Sequence, residues 1–304
     1  MRVLITGGAG FIGSHLVQYF QGKAEVRVLD NLRTGHRRNL NGFDFEWMEG
    51  SILDRNLVKR AVDGVDHVFH LAALVSVPES MAKPQECVEL NVTGLLNVLE
   101  AADSAGVRKL VLASSAAIYG DNPTVPKVET TVPEPRSPYA ITKLDGEYYN
   151  ALFTTEGRLE TASLRLFNVF GPRQDPTSAY AAAVPIFIHK ALAGQPLTIY
   201  GDGEQTRDFI YVKDVVAALA FAATTPGVTG VFNVGYGVST PINDIARTII
   251  AEAGSQSEIR HEPARAGDVK HSLASVDRLR SAGFRPVSNL RDGLAATLRY
   301  FQQL

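Results

Sequence analysis

Arg2-Val3-Leu4-Ile5-Thr6-Gly7-Gly8-Ala9-Gly10-Phe11-Ile12-Gly13 follows the first methionine, and its reading decides the fold. A short apolar run passes straight into glycines, after which Ile12, Leu16 and Phe20 recur at i, i+4 and i+8, the buried stripe of a helix. Gly7, Gly10 and Gly13 satisfy G-x-x-G-x-x-G, while Gly8, Gly10 and Gly13 satisfy G-x-G-x-x-G. The first glycine permits a tight turn, the next lets backbone approach a pyrophosphate, and the last lets helix pack closely on strand. The helix start then offers free N–H groups and partial positive charge to phosphates.

A glycine triplet also suits an ordinary tight turn, so the surrounding residues must decide. Asp30 ends the next apolar run, where a carboxylate accepts hydrogen bonds from an adenosine ribose and repels a 2′-phosphate. That favours NAD over NADP, although Arg33 and Arg37 stand close by in sequence. Further runs at 2–6, 26–29, 67–69, 109–113 and 161–166 alternate with helical periods, including one at 88–105, and their near-continuous apolar character suits strands buried on both faces. We expect an α/β fold, a doubly wound parallel sheet of Rossmann type over residues 1–167. A smaller C-terminal substrate-binding lobe should occupy 168–304, where Gly-, Pro- and Asp-rich loops enclose short helices at 179–192 and 241–253. Buried strands near 208–212 and 231–234 are candidates to rejoin the main sheet.

The second chemical signal is Ser137-Pro138-Tyr139-Ala140-Ile141-Thr142-Lys143. Ser137 and Pro138 suit an N-cap and first helical residue, which places Tyr139 and Lys143 at i and i+4 on one helix face. For a tyrosine to act as a base near neutral pH, its pKa must fall from about 10 to about 7, roughly 4 kcal/mol of phenolate stabilisation. A nearby ammonium, the helix start and a bound nicotinamide cation can together supply it. Ser114 and Ser115 end a buried run, at the strand end where such sheets bind ligands, so Ser115 can share a substrate oxygen with Tyr139.

Composition excludes several other classes. With 30 basic and 32 acidic side chains the formal charge is −2, without the basic excess of a nucleic-acid binder. A single cysteine, Cys87, rules out an internal disulfide and fits a reducing compartment, and no metal-ligand spacing occurs. The N-terminal apolar run is cut by glycines too early for a signal peptide, and no run approaches the roughly 18 residues of a membrane span. A cytoplasmic protein is expected.

The glycine loop, Asp30-Asn31, His70-Leu71-Ala72-Ala73, Asn91, Ser114-Ser115, Tyr139/Lys143 and Arg165-Leu166-Phe167-Asn168-Val169-Phe170-Gly171-Pro172 together resemble the extended short-chain dehydrogenase/reductase family of nucleotide-sugar enzymes, along essentially the whole chain. The resemblance implies a retained NAD held by Gly7, Gly10, Phe11, Ile12, Gly13, Asp30, Asn31, Thr34, Gly35, Ser51, Ile52, Leu71, Ala72, Ala73, Asn91, Ser114, Tyr139, Lys143 and Phe167. It implies Tyr139 as base, Lys143 on the nicotinamide ribose and Ser115 at the sugar hydroxyl. Many relatives carry Asp where this chain has Ser51.

Dehydratases and decarboxylases of that family place an acid about two positions after the active hydroxyl, where this chain has Ala116 and Ala117. Reversible oxidation through a transient 4-keto sugar, hence 4-epimerisation of a UDP-hexose, is the simplest reaction left. By the same resemblance Arg207 and Arg265 hold the diphosphate, Asp268 the uridine ribose and Asn168 a phosphate oxygen, with Tyr200 near the base. Arginine suits the first task because its guanidinium is a planar fork of donors. Ser272 occupies the position where an aromatic side chain excludes N-acetyl sugars, so UDP-GlcNAc/UDP-GalNAc is expected as substrate, alone or beside UDP-glucose/UDP-galactose. Relatives commonly form homodimers through the helix after Pro84 and the Tyr139 helix. Rival expectations are a UDP-glucuronate 4-epimerase, a nucleotide-sugar reductase, or a non-catalytic NAD-binding regulator, which would have no use for Ser115, Tyr139 and Lys143 together.

Overall fold

The computed structural model describes residues 1–176, 182–264 and 270–303. In chain order the first elements are β1 (Arg2–Thr6), α1 (Phe11–Tyr19), β2 (Glu25–Asp30), β3 (Glu46–Glu49), α2 (Arg55–Val62) and β4 (His67–His70). There follow α3 (Val77–Ala82), α4 (Pro84–Val88), α5 (Gly94–Ser104), β5 (Lys109–Ser115), α6 (Pro138–Thr155) and β6 (Glu160–Leu166). The rest comprises β7 (Asn168–Phe170), α7 (Ala183–Leu192), β8 (Leu197–Tyr200), β9 (Thr206–Arg207), β10 (Phe209–Tyr211), α8 (Val212–Thr224) and β11 (Gly230–Val234). The chain ends with β12 (Thr240–Pro241), α9 (Ile242–Glu252), β13 (Ile259–Glu262), β14 (His271–Ser272), α10 (Asp277–Ser281) and α11 (Leu290–Gln302).

The main sheet has the order β11-β6-β5-β4-β1-β2-β3, and the six strands from β6 to β3 pair parallel throughout. Strand order reverses between β1 and β4, so their carboxyl ends flank the crevice in which such sheets bind ligands. β1, β4 and β5 are buried almost from end to end, as their apolar runs predict. One core side includes Leu4, Leu29, Val68 and Leu110 of the sheet with Leu57 of α2 and Leu95 and Leu99 of α5.

One reading of the sequence needs correction. The strand near 208–212 does not rejoin the main sheet: β10 pairs with β7 in a separate two-stranded sheet, while β11 alone returns to the main one. The helical stretch at 88–105 is present as read, running from the end of α4 through a π-helical turn at Glu89–Thr93 into α5 with helical backbone at both junctions. Strand β3, Glu46-Trp47-Met48-Glu49, escaped the sequence reading because an edge strand with charged ends lacks an apolar run.

The chain forms two compact units. The first comprises Met1–Gly120, Pro133–Leu166 and Val216–Phe232; the second comprises Asp121–Val132, Phe167–Val215 and Asn233–Leu304. Within the second, β12-β9-β14 form a three-stranded sheet and β13-β8 a parallel pair. No helix among the described residues is long and apolar enough to cross a membrane.

Candidate active site

The glycine loop joins β1 to α1 with Gly7 in the left-handed region at φ +72°. A Cβ on Gly7 would stand 2.8 Å from the Ala72 backbone nitrogen, and one on Gly13 would stand 2.2 Å from the Gly7 carbonyl oxygen. Both positions are therefore closed to any side chain. Gly10 is the N-cap of α1 and has no side chain to cap it, so the first-turn N–H groups of Phe11, Ile12 and Gly13 lie at a helix start without intrahelical acceptors. That donor set, beside a loop stripped of Cβ atoms, fits a pyrophosphate.

Asp30 is buried at the end of β2, where its Oδ2 accepts from the Ala9 N–H at 2.9 Å and its Oδ1 from the Leu32 N–H at 2.7 Å. Each oxygen keeps a lone pair for a ribose hydroxyl. Arg33 is drawn away to Glu79 and Glu86, with Nη2 at 2.8 Å from each. Arg37 stacks over Trp47, its guanidinium carbon 3.9 Å from the ring centroid. Neither arginine adjoining Asp30 is held ready for a 2′-phosphate.

The remaining predicted cofactor residues of this unit are gathered in the same region by the fold. Asn31 Oδ1 accepts from the Arg33 N–H, and a Cβ on Gly35, beyond Thr34, would meet Ala9 at 2.8 Å. Ser51 Oγ accepts from the Leu53 N–H and so shapes the turn after β3, and Ile52 is buried. Leu71 and Ala72, followed by Ala73, donate their N–H groups to Thr6 Oγ1, tying the end of β4 to β1. Phe167 lies in the second unit, buried, with its N–H on the Val234 carbonyl.

Asn91 sits in the π-helical turn, a local widening of the helix often associated with functional sites. Its Oδ1 accepts from the Leu74 N–H at 2.7 Å, and its Nδ2 reaches the Leu74 carbonyl and Thr142 Oγ1, each at 3.0 Å. It thus links the loop after β4 to α6, one residue from Lys143.

Ser137 caps α6 by accepting the Ala140 N–H, with Pro138 in the first turn, so the helix begins where the sequence predicts. Lys143 is buried and its Nζ donates to the Ala113 carbonyl at 2.7 Å while lying 5.9 Å from the Tyr139 ring centroid. Burial depresses the Lys143 pKa to about 8, against the opposing pull of Cys87 and Glu147. Burial pushes the Tyr139 phenol up, and a hydrogen bond from Ser115 pulls it down. Ser115 Oγ also accepts the Ala117 N–H at 3.1 Å, which leaves its own proton for the tyrosine oxygen. Ser115, Tyr139 and Lys143 are therefore brought together at the carboxyl end of β5. His70, buried with Nδ1 at 3.0 Å from Thr6 Oγ1, has its pKa lowered to about 3 by burial and by Lys143, and stays neutral.

The Ser114 hydroxyl donates to Glu147 Oε1 at 2.5 Å. Glu147 in turn takes a bidentate ion pair from Arg165, whose Nη1 donates to the Tyr119 hydroxyl at 2.8 Å. This buried network was missed in the sequence, although Glu147 stands at i+4 from Lys143 on the same helix face.

In the second unit, β9 is the central strand of its sheet, and the register sets Arg207 opposite Ser272 on β14 and opposite Thr240 on β12. Asn168 is fixed by its backbone and side-chain N–H groups on the Asp208 carbonyl. Tyr200 ends β8, half-exposed, and its carbonyl accepts from Gln205. Arg265 and Asp268 lie outside the described residues. Asp208, unmarked by any motif, is fully buried and its carboxylate accepts the N–H groups of Tyr236, Gly237 and Ala274. It pins together the loops that flank Arg207 and Ser272.

A glycine loop at the sheet's switch point and a Ser-Tyr-Lys set beside it define a dinucleotide-dependent enzyme. The chain belongs to the NAD dependent epimerase/dehydratase family, whose sequence profile matches residues 3–235, and NAD is its cofactor. It is 38% identical over 310 residues to a UDP-glucose 4-epimerase of Mycolicibacterium smegmatis, covering 99% of each chain. Among solved structures it resembles a UDP-N-acetylglucosamine 4-epimerase from Methanobrevibacter ruminantium, in complex with UDP-N-acetylmuramic acid. The TM-score is 0.96 at 38% identity, over 99% of this chain and 98% of the other. The Thermus thermophilus UDP-glucose 4-epimerase in complex with NAD gives 0.90 at 38% identity over 99% of each.

Proposed function

We propose that this chain interconverts the 4-epimers of a UDP-hexose, with Tyr139 as the base. The observation that carries the reading is the placement of Ser115, Tyr139 and Lys143 at one strand end, next to a loop fitted to NAD. Similarity along the whole chain to 4-epimerases at 38% identity, against 34% for a UDP-glucuronic acid decarboxylase and 31% for a dTDP-glucose 4,6-dehydratase, supports this reaction, and Ala116 and Ala117 supply no acid for elimination.

NAD held by this site would supply a reversible hydride acceptor for carbon 4 of the sugar, so that oxidation to the 4-keto level and return involve no net redox. Tyr139 accepts the 4-hydroxyl proton and later gives it back. Ser115 donates to the phenolate, and the Lys143 ammonium, fixed on the Ala113 carbonyl, favours its negative charge. The first-turn N–H groups of α1 hold the pyrophosphate and Asp30 the adenosine ribose, with NAD preferred because Arg33 and Arg37 are already engaged. Arg207 and Arg265 grip the substrate diphosphate, with Asn168, Tyr200 and Asp268 on the rest of the nucleotide. Anchoring the nucleotide rather than the hexose lets the keto sugar present either face.

Ser272, small and directly opposite Arg207, leaves room for an acetamido group, so UDP-GlcNAc and UDP-GalNAc are substrates. Exposed Ile141, Tyr148 and Leu152 form an apolar stripe on α6, and Met81 and Val88 are exposed on α3 and α4. These faces suit a homodimer built on α4 and α6, and the single cysteine suits a reducing compartment, the cytoplasm.

The test is to incubate purified protein with UDP-GlcNAc and, separately, with UDP-glucose without added NAD, and to resolve the products by NMR. Appearance of the 4-epimers supports both the reaction and a retained cofactor. No change in either sugar after NAD is supplied refutes the assignment.

A further inference from the structure

Three successive residues at the end of β5 are each tied to α6. The Ala113 carbonyl accepts from Lys143, the Ser114 hydroxyl donates to Glu147, and the Ser115 hydroxyl bonds Tyr139. The helix partners Tyr139, Lys143 and Glu147 fall at i, i+4 and i+8, three rungs on one face of α6 that all reach this strand end. The third rung is anchored beyond the helix. Arg165 on β6, paired in register with Ser114, donates to both Glu147 oxygens, from Nε at 2.9 Å and from Nη2 at 2.7 Å. Its Nη1 reaches Tyr119, which closes the turn that follows Ser115.

All four side chains of this network are nearly inaccessible, with Glu147 and Arg165 each 4% exposed. A buried ion pair is weak evidence for stability, since desolvation offsets its attraction and apolar residues of similar volume often replace it without loss. Its directional bonds to β5, β6 and the turn of Tyr119 give it another use. We propose that Glu147 and Arg165 form a positioning pair that sets the register of α6 on β5, holding Tyr139 against Ser115 and Lys143 at the strand end. This rests on the reading of Tyr139 as base.

The pair also acts on charge. Lys143 is faced by Tyr139 and Glu147 from α6, by Cys87 from α4 and by neutral His70 from β4, with Arg165 behind Glu147. Burial works against the Lys143 ammonium, and Glu147 is an anion that favours it. Removing that anion makes the ammonium easier to deprotonate.

Three variants test the proposal: Glu147→Gln, the charge-free double variant Glu147→Leu/Arg165→Met, and Tyr119→Phe, which deletes a single bond of the network. Expected are a fall in kcat of about 10- to 100-fold for the first two, the scale of a small misplacement of reacting groups. A several-fold fall is expected for Tyr119→Phe, and KM for the UDP-sugar should change less than kcat in all three. In Glu147→Gln the alkaline limb of the rate profile should move to lower pH. The titration of Lys143, followed by NMR on nitrogen-labelled lysine and assigned with Lys143→Met, should move the same way.

Should Glu147→Gln fold poorly with Arg165 left unpaired, the double variant and Tyr119→Phe carry the test. Unchanged kcat and pH profile in folded variants overturn the proposal. The lysine titration needs no sugar, so a Lys143 shift in a protein whose parent fails to epimerise would refute the assigned reaction and spare the pair's electrostatic role. Turnover in the parent with no effect in any folded variant would refute the pair alone.

Discussion

Replacing Ser115 by alanine removes the hydrogen bond that opposes burial at Tyr139. A hydrogen bond to a charged group contributes about 1.5–3 kcal/mol. At 1.36 kcal/mol per pH unit that corresponds to a rise of about 1–2 units in the Tyr139 pKa. The base must be deprotonated to work, so the acidic limb of kcat should move to higher pH by that amount. At pH values below both limbs, turnover should fall about 10- to 100-fold, and it should partly recover as pH rises. Recovery is bounded on the alkaline side by loss of the Lys143 proton near pH 8, so the profile narrows as well as falls. The turn after β5 loses the cap that Ser115 gives the Ala117 N–H, a stability cost of about 1 kcal/mol visible in thermal denaturation. Ser115→Thr, which keeps the hydroxyl, should restore the acidic limb. The assay is kcat for UDP-GlcNAc or UDP-glucose epimerisation across pH, with products resolved by NMR. A uniform loss at every pH, with the limb unmoved, would refute the claim that Ser115 acts through the tyrosine.

Lys143→Met should abolish turnover yet raise stability at pH 7. The folded pKa is depressed from 10.5 to about 8, so the cost of burying the ammonium is fully present below pH 8 and fades as pH rises towards 10.5. That fall sets a ceiling of roughly 3 kcal/mol, less about 1 kcal/mol for the lost bond to Ala113; a melting-temperature gain that persists unchanged above pH 10.5 would contradict it. Gly13→Ala forces a Cβ to 2.2 Å from the Gly7 carbonyl and 2.7 Å from the Gly8 Cα, backbone that cannot yield. It should cost about 1–3 kcal/mol in thermal denaturation and weaken NAD binding in calorimetry. Ser272→Tyr should suppress turnover of UDP-GlcNAc while sparing UDP-glucose, and intact N-acetyl turnover would remove the steric basis for the substrate range. Glu79→Gln/Glu86→Gln releases Arg33. The ratio of NADP to NAD affinity should then rise about 10-fold, the worth of one charge-assisted hydrogen bond, and an unchanged ratio in direct binding would show that Asp30 alone sets the preference.

The features legible in the sequence are those whose cause is local. A strand buried on both faces must be an apolar run, so β1, β2, β4, β5 and β6 announce themselves, and the glycine loop is written in consecutive residues because one turn makes it. Tyr139 and Lys143 meet because they are one helical turn apart, wherever that helix packs. The shortest strands of the second unit escape this logic. At two residues each, β9, β12 and β14 are too short to carry a period, and they exist only because a partner supplies their hydrogen bonds.

Tertiary structure alone decided which polar groups find each other. Glu147 reads as one more charge on a helix until β6 brings Arg165 to both its oxygens and β5 brings Ser114. Arg33 reads as a rival to Asp30 for the cofactor's ribose until α3 and α4 bring Glu79 and Glu86 to meet it. Asp208 carries no motif, yet it gathers backbone N–H groups from residues 236, 237 and 274. Spacing along the chain specifies only which residues share a turn or a face. A buried charge is satisfied by whatever donor the packed chain delivers within about 3 Å, and that depends on every element between them.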